Sequence, residues 1–129
     1  MNTVRYRYNQ QVQPPAPFIY VVIHHPVGQT ATERLPALLD SGADITAVPA
    51  AVADRLSLVK FSDVILAGYA GPPVLADSYV VSLTLHDFDM AAVEVILTDE
   101  SYVILGRDIL NQFHITLDGL HRRLEMQLP

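Results

Sequence analysis

Alternation is the feature that most restricts what this chain can become. In TVRYRY, residues 3–8, Val4, Tyr6 and Tyr8 share one side while Thr3, Arg5 and Arg7 share the other, the two-residue period of a half-buried strand. FIYVVI, residues 18–23, is β-branched and aromatic, as expected of a well-buried strand. Further strands are expected over 63–67, 74–85 and 91–97, around 103–105, and in the closing segments HITLDG and RRLEMQL, where Leu124, Met126 and Leu128 share a face. Turns punctuate these runs. Pro26 and Gly28 mark a hairpin in HHPVGQT, and 68–73, GYAGPP, joins two of the strands. Helix signals are confined to 49–56, where a proline precedes good helix formers, and to 107–113. Many short strands, frequent turns and two short helices predict an all-β closed barrel.

The polar, proline-rich stretch 9–17, NQQVQPPAP, reads as an extended linker, so the expected division is 1–17 as N-terminal strand and linker and 18–129 as the barrel domain. A length of 129 residues supplies one modest core and not two. There is no internal repeat and no low-complexity tract. Eight basic against 14 acidic residues give a net charge of −6, which argues against nucleic acid as a partner. Cysteine is absent, so disulfides and zinc–thiolate sites are excluded. No leader-like apolar run opens the chain, and no stretch approaches the length of a membrane-spanning helix, so a cytoplasmic protein without membrane association is expected.

Two segments carry chemistry. In LLDSGAD, residues 38–44, apolar residues lead into Asp40, and Ser41 and Gly42 follow at once. This sets a carboxylate at the end of a buried strand where the chain turns sharply. Gly42 permits a close backbone approach, and Ser41 can hold the turn by a local hydrogen bond. In VILGRDIL, residues 103–110, an apolar strand runs into Gly106, and a helix opens with Arg107 and Asp108. Each alone is compatible with an ordinary turn or strand–helix junction.

Together and in this order they resemble the retropepsin-like aspartic proteases, the family of the retroviral proteases and their cellular relatives. The likeness covers roughly residues 18–128 in element order, with its specific part at 38–44 and 104–110. It implies that Asp40, Ser41 and Gly42 form the catalytic motif, with Ser41 bonding across to a partner chain. It implies that Gly42, Ala43 and Asp44 meet the substrate backbone and that Asp44 braces against Arg107. Gly106, Arg107 and Asp108 become the structural support, and Gly68, Tyr69, Ala70 and Gly71 fall where the family has its mobile flap. Serine at 41 replaces the commoner threonine, and Pro72–Pro73 is an unusual sequel to a flap tip.

Amide hydrolysis without a metal needs one group to activate water and another to protonate the carbonyl or leaving amine. Two carboxylates about 3 Å apart share one proton and fill both roles, as aspartic proteases do as a class. The chain has one Asp-Ser-Gly, and Asp108 stands in the supporting-helix context. A twofold axis between two copies is then the route to a pair, giving a C2 homodimer acting on an extended polypeptide, with no cofactor. Residues 3–8 and 123–128 are candidate interface strands. Self-processing near 9–17 belongs to the same expectation.

Other constellations are weaker. The five histidines, His24, His25, His86, His114 and His121, lack metal-ligand spacing and read as satisfied or surface side chains. HDFD, residues 86–89, reads as a polar hairpin turn before it reads as a metal loop. Ser41 lacks the nucleophile-elbow context, and no phosphate-binding glycine pattern is present. Two competing readings are a non-catalytic binding or dimerisation module on the same fold, and a monomer inactive until a partner or processing event acts.

Overall fold

A computed structural model describes residues 2–67 and 70–129. Its ten strands are β1 (Thr3–Arg7), β2 (Phe18–His24), β3 (Leu35–Leu39), β4 (Ala47–Pro49), β5 (Ser62–Leu66), β6 (Val74–Leu85), β7 (Phe88–Thr98), β8 (Val103–Leu105), β9 (His114–Asp118) and β10 (Arg123–Gln127). Two helices, α1 (Ala50–Arg55) and α2 (Arg107–Leu110), complete the described residues.

Six strands close on themselves in the order β2-β3-β8-β4-β7-β6, because β6 also pairs back onto β2. This is the closed barrel that the alternating pattern predicts. Closure removes the exposed edges that an open sheet would carry. The β3–β8 and β4–β7 pairs are parallel and the rest antiparallel, so β3 and β8 deliver Leu39 and Leu105 side by side to the same end of the barrel. That shared end carries the two motifs. Among the described residues β5 lies outside the closed ring and pairs with β6 alone.

Inward side chains alternate as a half-buried strand requires. Ile19, Val21 and Ile23 of β2 and Leu83 and Leu85 of β6 are buried, and they join Val48, Val95 and Leu105 in one core. Each such side chain contributes about 1.5–3 kcal/mol relative to exposure. Among the described residues no helix is long and apolar enough to cross a membrane.

Several expectations shift. β2 is well buried except at one position: Phe18, Ile19, Val21 and Ile23 are buried and Val22 is half-buried. Tyr20 remains 43% exposed, with the Tyr6 ring tilted against it and the guanidinium of Arg34 4.9 Å from its ring centroid. α2 stops at Leu110 rather than 113, where the chain turns into β9. The linker 9–17 folds back on itself through paired backbone bonds between Asn9 and Ala16. β4 is a three-residue strand too short to show a period.

The larger correction concerns the C-terminal strand. β1 and β10 pair with each other within one chain, from Thr3 opposite Gln127 to Arg7 opposite Arg123, and β10 also pairs with β9. Both edges of β10 are therefore filled, and residues 123–127 have no backbone groups left to form a ladder across a subunit boundary.

Candidate functional site

Asp40 follows β3 directly, and its backbone N–H donates to Leu105 O at 3.0 Å, so the ends of β3 and β8 are tied at this residue. The chain then reverses. Ala43 N donates back to Asp40 O at 3.1 Å, and Gly42 N donates to Asp40 Oδ1 at 2.9 Å. The second bond fixes the carboxylate over the turn and leaves it half-buried, while Ser41, Gly42 and Asp44 are exposed. A Cβ on Gly42 would lie 3.2 Å from Asp40 Oδ1, crowding the oxygen that its own N–H engages.

The second motif grips this loop from behind. Arg107 N donates to Ala43 O at 2.8 Å, its Nη1 donates to Ser41 O at 2.7 Å, and its Nη2 pairs with Asp44 Oδ1. A guanidinium suits this task because its planar fork can address a carbonyl and a carboxylate at once. Gly106 is required by proximity. A Cβ there would stand 2.9 Å from the carbonyl carbon of Ile45 and 3.0 Å from Ala43 O, both backbone atoms with no room to yield. The two motifs, more than sixty residues apart in sequence, thus close onto each other.

Thr46 completes the arrangement, and sequence reasoning missed it. It is fully buried. Its hydroxyl donates to Asp108 Oδ1 at 2.8 Å and accepts from Gly106 N at 3.1 Å, while its own N–H donates to Asp108 Oδ2 at 3.1 Å. Asp108 Oδ1 also accepts from Ile109 N at 2.9 Å, so both carboxylate oxygens are occupied. The available signal was a lone hydroxyl residue between the Asp40 loop and an apolar strand. It needed a polar partner, and only the fold reveals that partner. Thr46→Val keeps the shape but strands Gly106 N–H and one Asp108 bond. The expected cost is about 1–3 kcal/mol, read as a lower midpoint in urea with an unchanged slope.

A cleft of about 360 Å³ opens beside the loop, lined by Gly42, Asp44, Ile45, Val64, Leu66 and Ile96 among others. Its walls are mainly aliphatic. A larger depression of about 590 Å³ passes Asp44 and Ile45 toward β7 without reaching Asp40. Its polar side chains are engaged elsewhere: Asp44 with Arg107, Asp108 with Thr46, Glu94 with Ser78 and Asp89 with Thr84. Among the described residues no cluster of three or more His, Cys, Asp or Glu side chains could hold a metal ion.

The expected residues Asp40, Ser41, Gly42, Ala43, Asp44, Gly106, Arg107 and Asp108 are thus brought together in one bonded unit. Ala70 and Gly71 are exposed beyond the end of β5, with Gly71 at φ 107°. Gly68 and Tyr69 lie outside the described residues. The expected histidine roles match what the contacts show: His24 bonds Thr84, His121 bonds Asp118, and His25 Nδ1 accepts from Val27 and Gly28 N–H groups in its turn.

Comparison with known proteins points one way. A profile of the aspartyl protease family matches residues 27–109. The structure of a retropepsin-like aspartic protease from Rickettsia conorii superposes with a TM-score of 0.66, at 14% identity, over 97% of this chain and 90% of that one. EIAV protease complexed with the inhibitor HBY-793 superposes with a TM-score of 0.51, at 28% identity, over 74% of this chain and 86% of that one. The first of these shows a shared fold. No curated protein sequence matches the chain.

Proposed function

This chain belongs to the aspartyl protease family, and we propose that it is an endopeptidase whose active centre is assembled from Asp40 of two identical copies. The observation that carries this reading is a single half-exposed carboxylate, fixed by Gly42 N–H at the joined ends of β3 and β8, in a chain with one Asp-Ser-Gly. All the machinery needed to orient one carboxylate is present, and nothing in the sequence offers it a second.

In the dimer one Asp40 is ionised and takes a proton from the attacking water. The other is protonated and donates to the carbonyl oxygen of the scissile amide. The tetrahedral intermediate then collapses: the first Asp40 gives its proton to the departing amine, and the second takes one back from a hydroxyl as the carbonyl re-forms, so the pair again holds one proton. Two close carboxylates hold one proton between them because both cannot ionise together, a property of aspartic proteases as a class, and the titrations belong to the pair. Ser41 bonds across the axis to the partner loop. An extended polypeptide lies along Gly42, Ala43 and Asp44, and the cleft lined by Ile45, Val64, Leu66 and Ile96 receives an aliphatic side chain beside the cut.

Dilution tests the assembly. When most of the protein is monomeric, dimer concentration goes as the square of total protein. Specific activity should then fall about tenfold for each tenfold dilution. Activity assays run beside mass measurement in solution check this. Constant specific activity from a verified monomer would eliminate the shared centre.

A further inference from the structure

β5 is weakly held for a strand that walls the cleft. Among the described residues it pairs only with β6, none of its own residues is buried, and Ile65 and Leu75, directly opposite each other, are 74% and 68% exposed. Its ladder also contains a conflict, because Asp63 lies directly opposite Asp77, and like charges in that register repel. Lys60, the only lysine in the chain, answers it: Nζ stands 2.7 Å from Asp63 Oδ1 and 3.2 Å from Asp77 Oδ1.

Among the described residues no other cation pairs with either carboxylate. The nearest ionisable group on β7 is Glu94, which bonds Ser78 at 2.6 Å. Since Ser78 neighbours Asp77 in β6, its side chain points to the opposite face. A lysine suits this position because a compact ammonium with three donors can satisfy two oxygens at once. The hydrogen bonds to Asp63 and Asp77 hold its pKa above the usual lysine value.

Alternation along β5 then matters. Val64 and Leu66 stand beside Asp63 and Ile65 but project to the other, half-buried face, and together with Ile65 and Ala67 they line the cleft beside Gly42 and Asp44. We propose that Lys60 is a positioning residue: by neutralising the facing Asp63–Asp77 pair it locks the β5–β6 ladder and holds the Val64–Leu66 wall against the substrate. An exposed single ion pair contributes little. Lys60 differs because its removal leaves two anions facing one another on the exposed face of a ladder in which no β5 residue is fully buried. The kinetic consequence rests on the endopeptidase reading, whereas the structural one does not.

The experiment compares wild type with Lys60→Gln and with Lys60→Gln combined with Asp77→Asn, reading amide hydrogen exchange in β5 and β6 and steady-state cleavage of a peptide. Lys60→Gln should speed exchange in Ser62–Leu66 about three- to tenfold and raise KM by a similar factor, with kcat within about twofold. Adding Asp77→Asn removes the repulsion and should restore both, which loss of general structure would not predict. Exchange unchanged in Lys60→Gln, or unrestored in the double variant, overturns the proposal. Faster exchange with an unchanged KM overturns its link to substrate. If the wild type cleaves nothing, the endopeptidase reading fails while exchange still decides the role of Lys60.

Discussion

Asp40→Asn will abolish peptide-bond hydrolysis, by about 10⁴-fold or more, and leave the barrel folded. The structural half follows from what Asp40 does in the loop. Its Oδ1 only accepts from Gly42 N–H, and an amide oxygen of the same shape accepts equally well. The thermal midpoint should therefore stay close to that of the wild type. The chemical half follows from the symmetry of the centre. One substitution replaces both carboxylates, so the base for water and the acid for the carbonyl vanish together, and each such role contributes about 10²–10⁴-fold. Incubation with an unfolded polypeptide from mildly acidic to neutral pH reads the outcome. Mixing sharpens it: with equal amounts of wild type and variant freely exchanging, about a quarter of the pairs retain two aspartates, and activity should fall accordingly. Undiminished cleavage by the variant would remove Asp40 from the mechanism.

The fold was legible where the physics is local. Period-two alternation announced the long strands, because each inward side chain must be apolar for the barrel to close. Proline and glycine marked the turns, and the Asp-Ser-Gly and Gly-Arg-Asp segments stood out because a strand that ends in a fixed carboxylate or a close backbone contact restricts residue choice. What stayed hidden depends on pairing between distant segments. β4 is three residues long, too short to show alternation. Thr46 looked like any threonine until the fold brought Asp108 and Gly106 against its hydroxyl. Asp63 and Asp77 were two surface acids until the register set them opposite each other. The terminal strands had the right period and the right face, but alternation states which side is buried and says nothing about which strand lies alongside.

That distinction decides what removal of the C-terminal strand would do. With β10 read as an interface strand, deleting residues 122–129 would separate subunits and leave folded monomers. The observed pairing predicts unfolding instead. β10 is the middle strand of its sheet, with β1 on one side and β9 on the other. Leu124, Met126 and Leu128 are 2%, 0% and 3% exposed and belong to the same core cluster as the barrel strands. Truncating one such side chain to alanine costs about 2–5 kcal/mol, so losing all three approaches or exceeds the roughly 5–15 kcal/mol that holds a domain together. β1 would lose the ladder it forms with β10 as well, exposing Val4. The truncated chain should therefore lack a cooperative thermal transition at any concentration, whereas Met126→Ala should retain one at a lower midpoint. A truncated chain that melts like the wild type would show that β10 is dispensable to the core. It would also reopen an interface role for this strand, because in the intact chain a second copy can extend this sheet only at the outer edges of β1 and β9.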